Sequence, residues 1–100
     1  MPCDPVHNFS PFTQHQFWYV YILRSTSFLN QIYIGSSNDL RRRIEEHNAG
    51  KSASTKRYMP WHLVYYEAYH REYLARLREK RLKQNGNALH ELKKRIGASV

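Results

Sequence analysis

The alternation of apolar and polar positions becomes regular at Phe17. Phe17-Trp18-Tyr19-Val20-Tyr21-Ile22-Leu23-Arg24 is dense in aromatic and β-branched residues, the strongest strand signal in the chain, and alternation puts Phe17, Tyr19, Tyr21 and Leu23 on one face. A polar connection, Ser25 to Gln31, leads to the short run Ile32-Tyr33-Ile34, which is expected to stop at Gly35. The closeness of the two runs predicts an antiparallel hairpin that brings Tyr19 or Tyr21 near Tyr33. Ser36, Ser37, Asn38 and Asp39 then offer side chains able to cap a helix, expected from Leu40 to Asn48 with Gly50 as its stop signal.

On that helix the period changes to 3.6. Leu40 and Ile44 form the buried stripe, and His47 falls almost over Leu40. Arg41 and Arg42 point to solvent, whereas Arg43 lies on the border of the stripe, one turn before His47, on the side that should face the sheet. A basic, polar loop from Gly50 to Tyr58 follows. Pro60-Trp61 introduces a third strand, His62 to Ala68, with Pro60 better placed before the strand than within it.

From about His70 to Gln84 the pattern is helical again, with Leu74, Leu77 and Leu82 as apolar anchors and Asn85-Gly86-Asn87 as terminator. Glu72 and Glu79 share one side at the edge of that stripe. Either could reach over the sheet, and spacing does not choose between them. A last helix, about Ala88 to Ile96, carries Leu89, Leu92 and Ile96 inward and Lys93, Lys94 and Arg95 mostly outward. Met1–Gln16, with three prolines and no periodicity, is expected to be a flexible tail before a single domain at 17–97.

Composition narrows the class of function. Sixteen Lys+Arg against eight Asp+Glu give a net charge of +8 and a pI near 9.9, which makes nucleic acid the leading partner class. Residues 1–16 hold one acid, Asp4, and no Lys or Arg, so the basic excess lies in Phe17–Val100. One cysteine, Cys3, excludes a disulfide framework and a cysteine metal cluster, and Cys3, His7 and His15 lack the spacing and the fourth partner of a metal site. No apolar run reaches transmembrane length and the N-terminus has no signal-peptide pattern, so a cytoplasmic location is expected.

Among candidate chemical groups, Arg43 beside a histidine and a strand tyrosine is a plausible anion site, because a guanidinium fork matches phosphate oxygens. Plain structural roles compete at every position. Arg43 could be one more border arginine, His47 a core histidine satisfied by a carbonyl, Tyr33 a half-buried strand tyrosine, and Glu79 a surface ion pair with Lys83 four residues on. Arg41, Arg42, Lys51, Lys56 and Arg57 are read as backbone-phosphate contacts or solvated charge, without base readout.

The ordered set Tyr19-Val20-Tyr21, Tyr33-Ile34-Gly35, Arg43, His47, Thr55, Pro60-Trp61, Leu63-Val64-Tyr65-Tyr66-Glu67, and Glu79 followed by Leu82-Lys83 resembles the GIY-YIG nuclease domain, in particular the small stand-alone bacterial members. It spans roughly Phe17 to Leu92. One departure is plain: Tyr19 stands where the first motif of the family name has glycine. The resemblance implies an α+β fold, a three-stranded antiparallel sheet flanked by helices, and metal-dependent endonuclease cleavage of DNA; low sequence specificity is expected because the chain has little left over for a sequence-reading domain. By motif position it implies Glu79 as metal ligand, Arg43 on the scissile phosphate, Tyr33 as general base or water-orienting group, and Tyr21 and His47 in support.

Phosphodiester hydrolysis needs charge neutralisation on the non-bridging oxygens, an activated water and a stabilised leaving oxygen. Mg²⁺ commonly uses one or two carboxylates and keeps several waters, so the scarcity of acids suits Mg²⁺ or Mn²⁺ and argues against an all-protein cage. A phenol of ordinary pKa, about 10, is a poor base unless a nearby cation favours its phenolate. The expected partner is DNA, with RNA, branched nucleic acid and repair intermediates left open. The alternative is a catalytically weak nucleic-acid-binding module that acts with a partner protein. The joint presence of Tyr33, Arg43 and Glu79 favours the enzyme.

Overall fold

The computed structural model describes residues 17–97. Along the chain come β1 (Trp18–Ser25), β2 (Ile32–Ser37), α1 (Leu40–Asn48), a 3-10 turn at Lys56–Tyr58, β3 (Trp61–Tyr69), α2 (Glu72–Gln84) and α3 (Gly86–Arg95). The expected tail, with Cys3, His7 and His15, lies outside the described residues. No helix among the described residues is long and apolar enough to cross a membrane.

The strands form one antiparallel sheet in the order β2-β1-β3. Its most apolar strand is therefore central, and Val20, Tyr21, Ile22 and Leu23 are all buried because both faces of β1 are covered. Val20, Ile22 and Ile34 pack against Ala75 and Leu82 of α2 and Leu92 of α3. On the other face Tyr21, Leu23 and Trp61 pack with Tyr33, Leu40 and Ile44, which puts α1 there. The architecture is the α+β fold that the sequence implied.

Two local expectations are corrected. β2 does not stop at Gly35 but runs to Ser37, because Tyr19, Val20 and Tyr21 of β1 still offer partners to Ser37, Ser36 and Gly35. The last helix begins at Gly86 instead of Ala88, since the Asn85 side chain accepts from the backbone N–H groups of Asn87 and Ala88 and so caps a new helix as the old one ends. At α1, by contrast, bounds and signals agree: the Asp39 carboxylate accepts from Arg42 N–H at 3.1 Å, and Gly50, at φ +76°, follows the helix end.

The third correction concerns which face of α2 points inward. Leu82 is fully buried, but Leu74 and Leu77 are 36% and 41% exposed, and the inward face is made by Ala75, Arg78, Glu79 and Leu82. On that inward face Ala75 and Leu82 enter the core and Arg78 meets Glu67 of β3. Arg78 donates to its two carboxylate oxygens through Nε and Nη2, both at 3.0 Å, and the hydroxyls of Tyr65 and Tyr69 donate to it at 2.6 Å each.

Burial alone would raise the Glu67 pKa, but the guanidinium and the two hydroxyls hold it below the usual carboxylate range. The Tyr69 phenol is pushed up to about 12, by burial and by its bond to that carboxylate. Glu67→Ala leaves Arg78 and two tyrosines without their acceptor, so chemical denaturation should show a loss of about 2–4 kcal/mol. A change below about 0.5 kcal/mol, the size of an ordinary surface substitution, would contradict this role.

Candidate active site

The strand order leaves β2 at an edge, and the candidate residues meet around that edge from both faces of the sheet. On the α1 face, cross-strand pairing sets Tyr21 opposite Gly35 and Leu23 opposite Tyr33, so the two tyrosine rings lean together with centroids 6.2 Å apart. His47, one turn after Arg43 on α1, lies beneath both, 6.0 Å from Tyr21 and 4.7 Å from Tyr33 between ring centroids. Gly35 makes this approach possible. A Cβ on it would stand 2.6 Å from the Tyr21 hydroxyl oxygen and 2.8 Å from Cε2 of Tyr33.

His47 is fully buried and bonded on both sides. Its Nδ1 lies 2.7 Å from Thr55 Oγ1 and its Nε2 lies 3.0 Å from the Tyr21 hydroxyl. Thr55 Oγ1 donates to the Ser52 carbonyl at 3.4 Å and is free to accept Nδ1–H, which leaves Nε2 to accept the Tyr21 hydroxyl proton. Trp61 Nε1 donates to the Thr55 carbonyl at 2.9 Å and fixes the far end of the string.

The titration shifts agree with that direction. Burial, with help from neighbouring Tyr33, pushes the Tyr21 phenol well above its ordinary range, so it stays protonated. Burial, and then the Arg43 charge, pull the His47 pKa down, so the imidazole stays neutral. A histidine whose folded pKa is depressed binds its proton more readily when unfolded, so its share of stability is intact above about pH 6.5 and is lost as pH falls below it. The melting temperature should therefore fall between about pH 7 and 5, and His47→Gln should flatten that slope. Equal slopes in wild type and variant would contradict the assignment.

Arg43 extends from α1 toward the two phenols. One of its arms, Nη1, donates to Glu46 at 2.8 Å, and the side chain is only 29% exposed. From the opposite face, α2 brings Glu79 to the same edge. Ser36 Oγ donates to its Oε1 at 2.6 Å and Lys83 Nζ donates to its Oε2 at 2.7 Å. Lys83 Nζ also lies 5.9 Å from the centre of the Tyr33 ring, so the pair bends round β2 to the tyrosine side. On the surface of α2 itself, Arg76, Glu79, Lys80, Lys83 and Gln84 line an open cleft of about 260 Å³. The edge thus gathers the Tyr33 phenol, the Arg43 guanidinium, the Glu79 carboxylate and the Lys83 ammonium.

This ordered set has a counterpart among known proteins: the sequence profile of the GIY-YIG catalytic domain matches residues 17–95. The chain belongs to the GIY-YIG catalytic domain family. Two similar curated proteins are UPF0213 protein SpyM50708 of Streptococcus pyogenes serotype M5 and UPF0213 protein SpyM3_1077 of Streptococcus pyogenes serotype M3. Each is 40% identical over 52 residues, covering 51% of this chain and 54% of the relative. The matched stretch spans about half the length of those relatives. No solved structure matches.

Of the GIY-YIG residues named from sequence, Tyr21, Tyr33, Arg43 and His47 come together on one face and Glu79 meets them round the edge. Glu72, the other carboxylate that spacing allowed, is tied to Arg76 at 2.7 Å on the exposed side of α2. Arg41 and Arg42 are exposed on α1, with Arg42 paired to Asp39 and Glu46, and Lys51, Lys56 and Arg57 are exposed on the following loop. Ser36 and Glu46 were not foreseen as site residues. Ser36 reads as one of several helix-cap candidates. Glu46 does carry a local signal, since it follows Arg43 at the i,i+3 spacing of a helical ion pair.

Proposed function

We propose that this protein is a divalent-metal-dependent endonuclease that hydrolyses DNA phosphodiester bonds with low sequence specificity. The observation that carries the reading is the convergence of Tyr33, Arg43 and Glu79 at the open edge of β2. Glu79 offers a hard carboxylate oxygen beside an open cleft. The described residues contain no group of three or more His, Cys, Asp or Glu able to hold an ion by themselves. That donor set fits Mg²⁺ or Mn²⁺, which accept one carboxylate and complete their shell with water and substrate oxygens, and suits neither structural zinc nor a calcium cage. Bound at Glu79, the cation would supply charge neutralisation on the phosphate and on the leaving oxygen.

The chain's own groups supply the rest. Arg43 directs N–H groups that Glu46 does not engage to a non-bridging phosphate oxygen, while Glu46 holds one arm of the side chain beside the two phenols. Tyr33 orients the attacking water and, in its phenolate form, takes its proton to become the neutral phenol. Tyr21, kept protonated by burial, does not compete for that proton but donates to His47. His47 and Thr55 in turn hold Tyr21 rigid behind the reacting centre. The cations of the α2 cleft and of the α1 surface hold the flanking backbone phosphates without reading bases.

Incubation with supercoiled plasmid tests the reading. Relaxed circular product in Mg²⁺ or Mn²⁺, absent in chelator, is expected. Salt-sensitive DNA binding without product in either metal would replace the endonuclease with the binding-module reading.

A further inference from the structure

The tip of the β1–β2 hairpin carries two large apolar side chains into solvent, Phe28 at 50% and Leu29 at 56% exposure. They are not on a loose loop. Buried Ser25 Oγ accepts from the N–H groups of Ser27 and Phe28 at 3.2 and 2.9 Å, and Gln31 N–H closes the turn on the Phe28 carbonyl at 2.8 Å. Arg24 Nε donates to the Leu29 carbonyl at 3.0 Å, and Thr26 N–H donates to the Pro60 carbonyl at 3.0 Å. The backbone is thus pinned so that the apolar groups stay outside, an arrangement core packing does not explain.

Beside them the 3-10 turn presents Tyr58, whose ring meets Phe28 edge-on at 5.2 Å and carries the Arg57 guanidinium 5.4 Å above its face. Lys56 and Arg57 are exposed on this turn. Tyr58 packs in the same cluster as Tyr33, and Gln31, which closes the hairpin, is two residues before Tyr33. The patch therefore adjoins the candidate active site on the tyrosine face. An exposed ring, Phe28, held against the half-buried ring of Tyr58 and flanked by cations, matches the requirements of unpaired bases, which stack on an aromatic face while their phosphates meet the positive charge.

We propose that Phe28, Leu29, Tyr58 and Arg57 form a base-stacking platform for an unpaired nucleic-acid strand entering or leaving the site, a selectivity device for strands that depart from the duplex. This rests on the nucleic-acid part of the reading above and is independent of cleavage. Paired bases in a blunt duplex keep their faces against one another and gain nothing from the platform.

The test compares a thymidine oligonucleotide carrying one 2-aminopurine with a blunt duplex of equal length, by anisotropy and by 2-aminopurine emission, without metal. Wild-type protein should bind the single strand with a change in 2-aminopurine emission. Phe28→Leu, which keeps an apolar group but removes the ring at an exposed position, should weaken single-strand binding about tenfold and abolish the emission change, with duplex affinity unaltered. Phe28→Trp should retain both signals. A Phe28→Leu protein that binds both ligands like wild type, or loses both equally, overturns the platform. Salt-sensitive duplex binding by a wild type that leaves 2-aminopurine unchanged overturns the platform alone, and no binding to either ligand overturns the nucleic-acid reading with it.

Discussion

Arg43→Ala is expected to slow plasmid nicking about 100- to 1,000-fold, the usual loss when one preorganised donor to a developing anion is removed. Duplex binding should change little, because it draws on many cations around the site and Arg43 is one charge among them. The neighbouring residue is the control. Arg42 lies one position away on the same helix with the same charge, but it is exposed and paired to Asp39 and Glu46 on the outer surface. Arg42→Ala should therefore alter the rate by no more than its share of general phosphate attraction. If the two variants lose activity equally, charge and not position explains the effect, and the assignment of Arg43 fails.

Gly35→Ala should be costly for a different reason. The added methyl would collide with the Tyr21 hydroxyl and the Tyr33 ring, and neither is a loose side-chain end. Tyr21 is buried and bonded to His47, and the Tyr33 ring rests against the same imidazole. Relief requires the two rings to part or β2 to shift away from β1. Overpacking of this kind typically costs about 1–3 kcal/mol, and a misplacement on the order of 1 Å in a reacting geometry can lower a rate roughly 100-fold. Thermal unfolding and nicking measured together check both. An alanine variant with wild-type stability and rate would show that the close approach of the tyrosines is dispensable.

The parts of this molecule legible in its sequence are those fixed by neighbours in the chain. The hairpin followed from two dense strand runs a short turn apart, and α1 from its cap at Asp39, its stripe and Gly50. Arg43 stood out from Arg41 and Arg42 by helical phase alone. The orientation of α2 was not legible. Leu74 and Leu77 outweigh Ala75 on any wheel, and the partners of the inward face lie on other elements: Val20, Ile22 and Ile34 around Ala75, and Glu67 for Arg78. Nor could spacing choose between Glu72 and Glu79, since the choice depends on where β2 lies. The sheet order makes β2 an edge, and only that lets a carboxylate from one face meet tyrosines on the other. Ser36 stayed hidden because it looked like a cap, and His47 gained its meaning only when both nitrogens found hydroxyl partners.

The most direct measurement of the central claim sets wild type, Glu79→Gln and Glu72→Gln side by side, titrating Mg²⁺ or Mn²⁺ against plasmid nicking while duplex affinity is followed in parallel. Glutamine keeps size and a hydrogen-bond acceptor for Ser36 but removes the charge that would hold a cation. The expected result is that Glu79→Gln binds DNA and does not cut it at any metal concentration, whereas Glu72→Gln cuts like wild type with an unchanged metal requirement. Activity retained by Glu79→Gln, with loss in Glu72→Gln, would contradict the account and move the metal to the exposed end of α2.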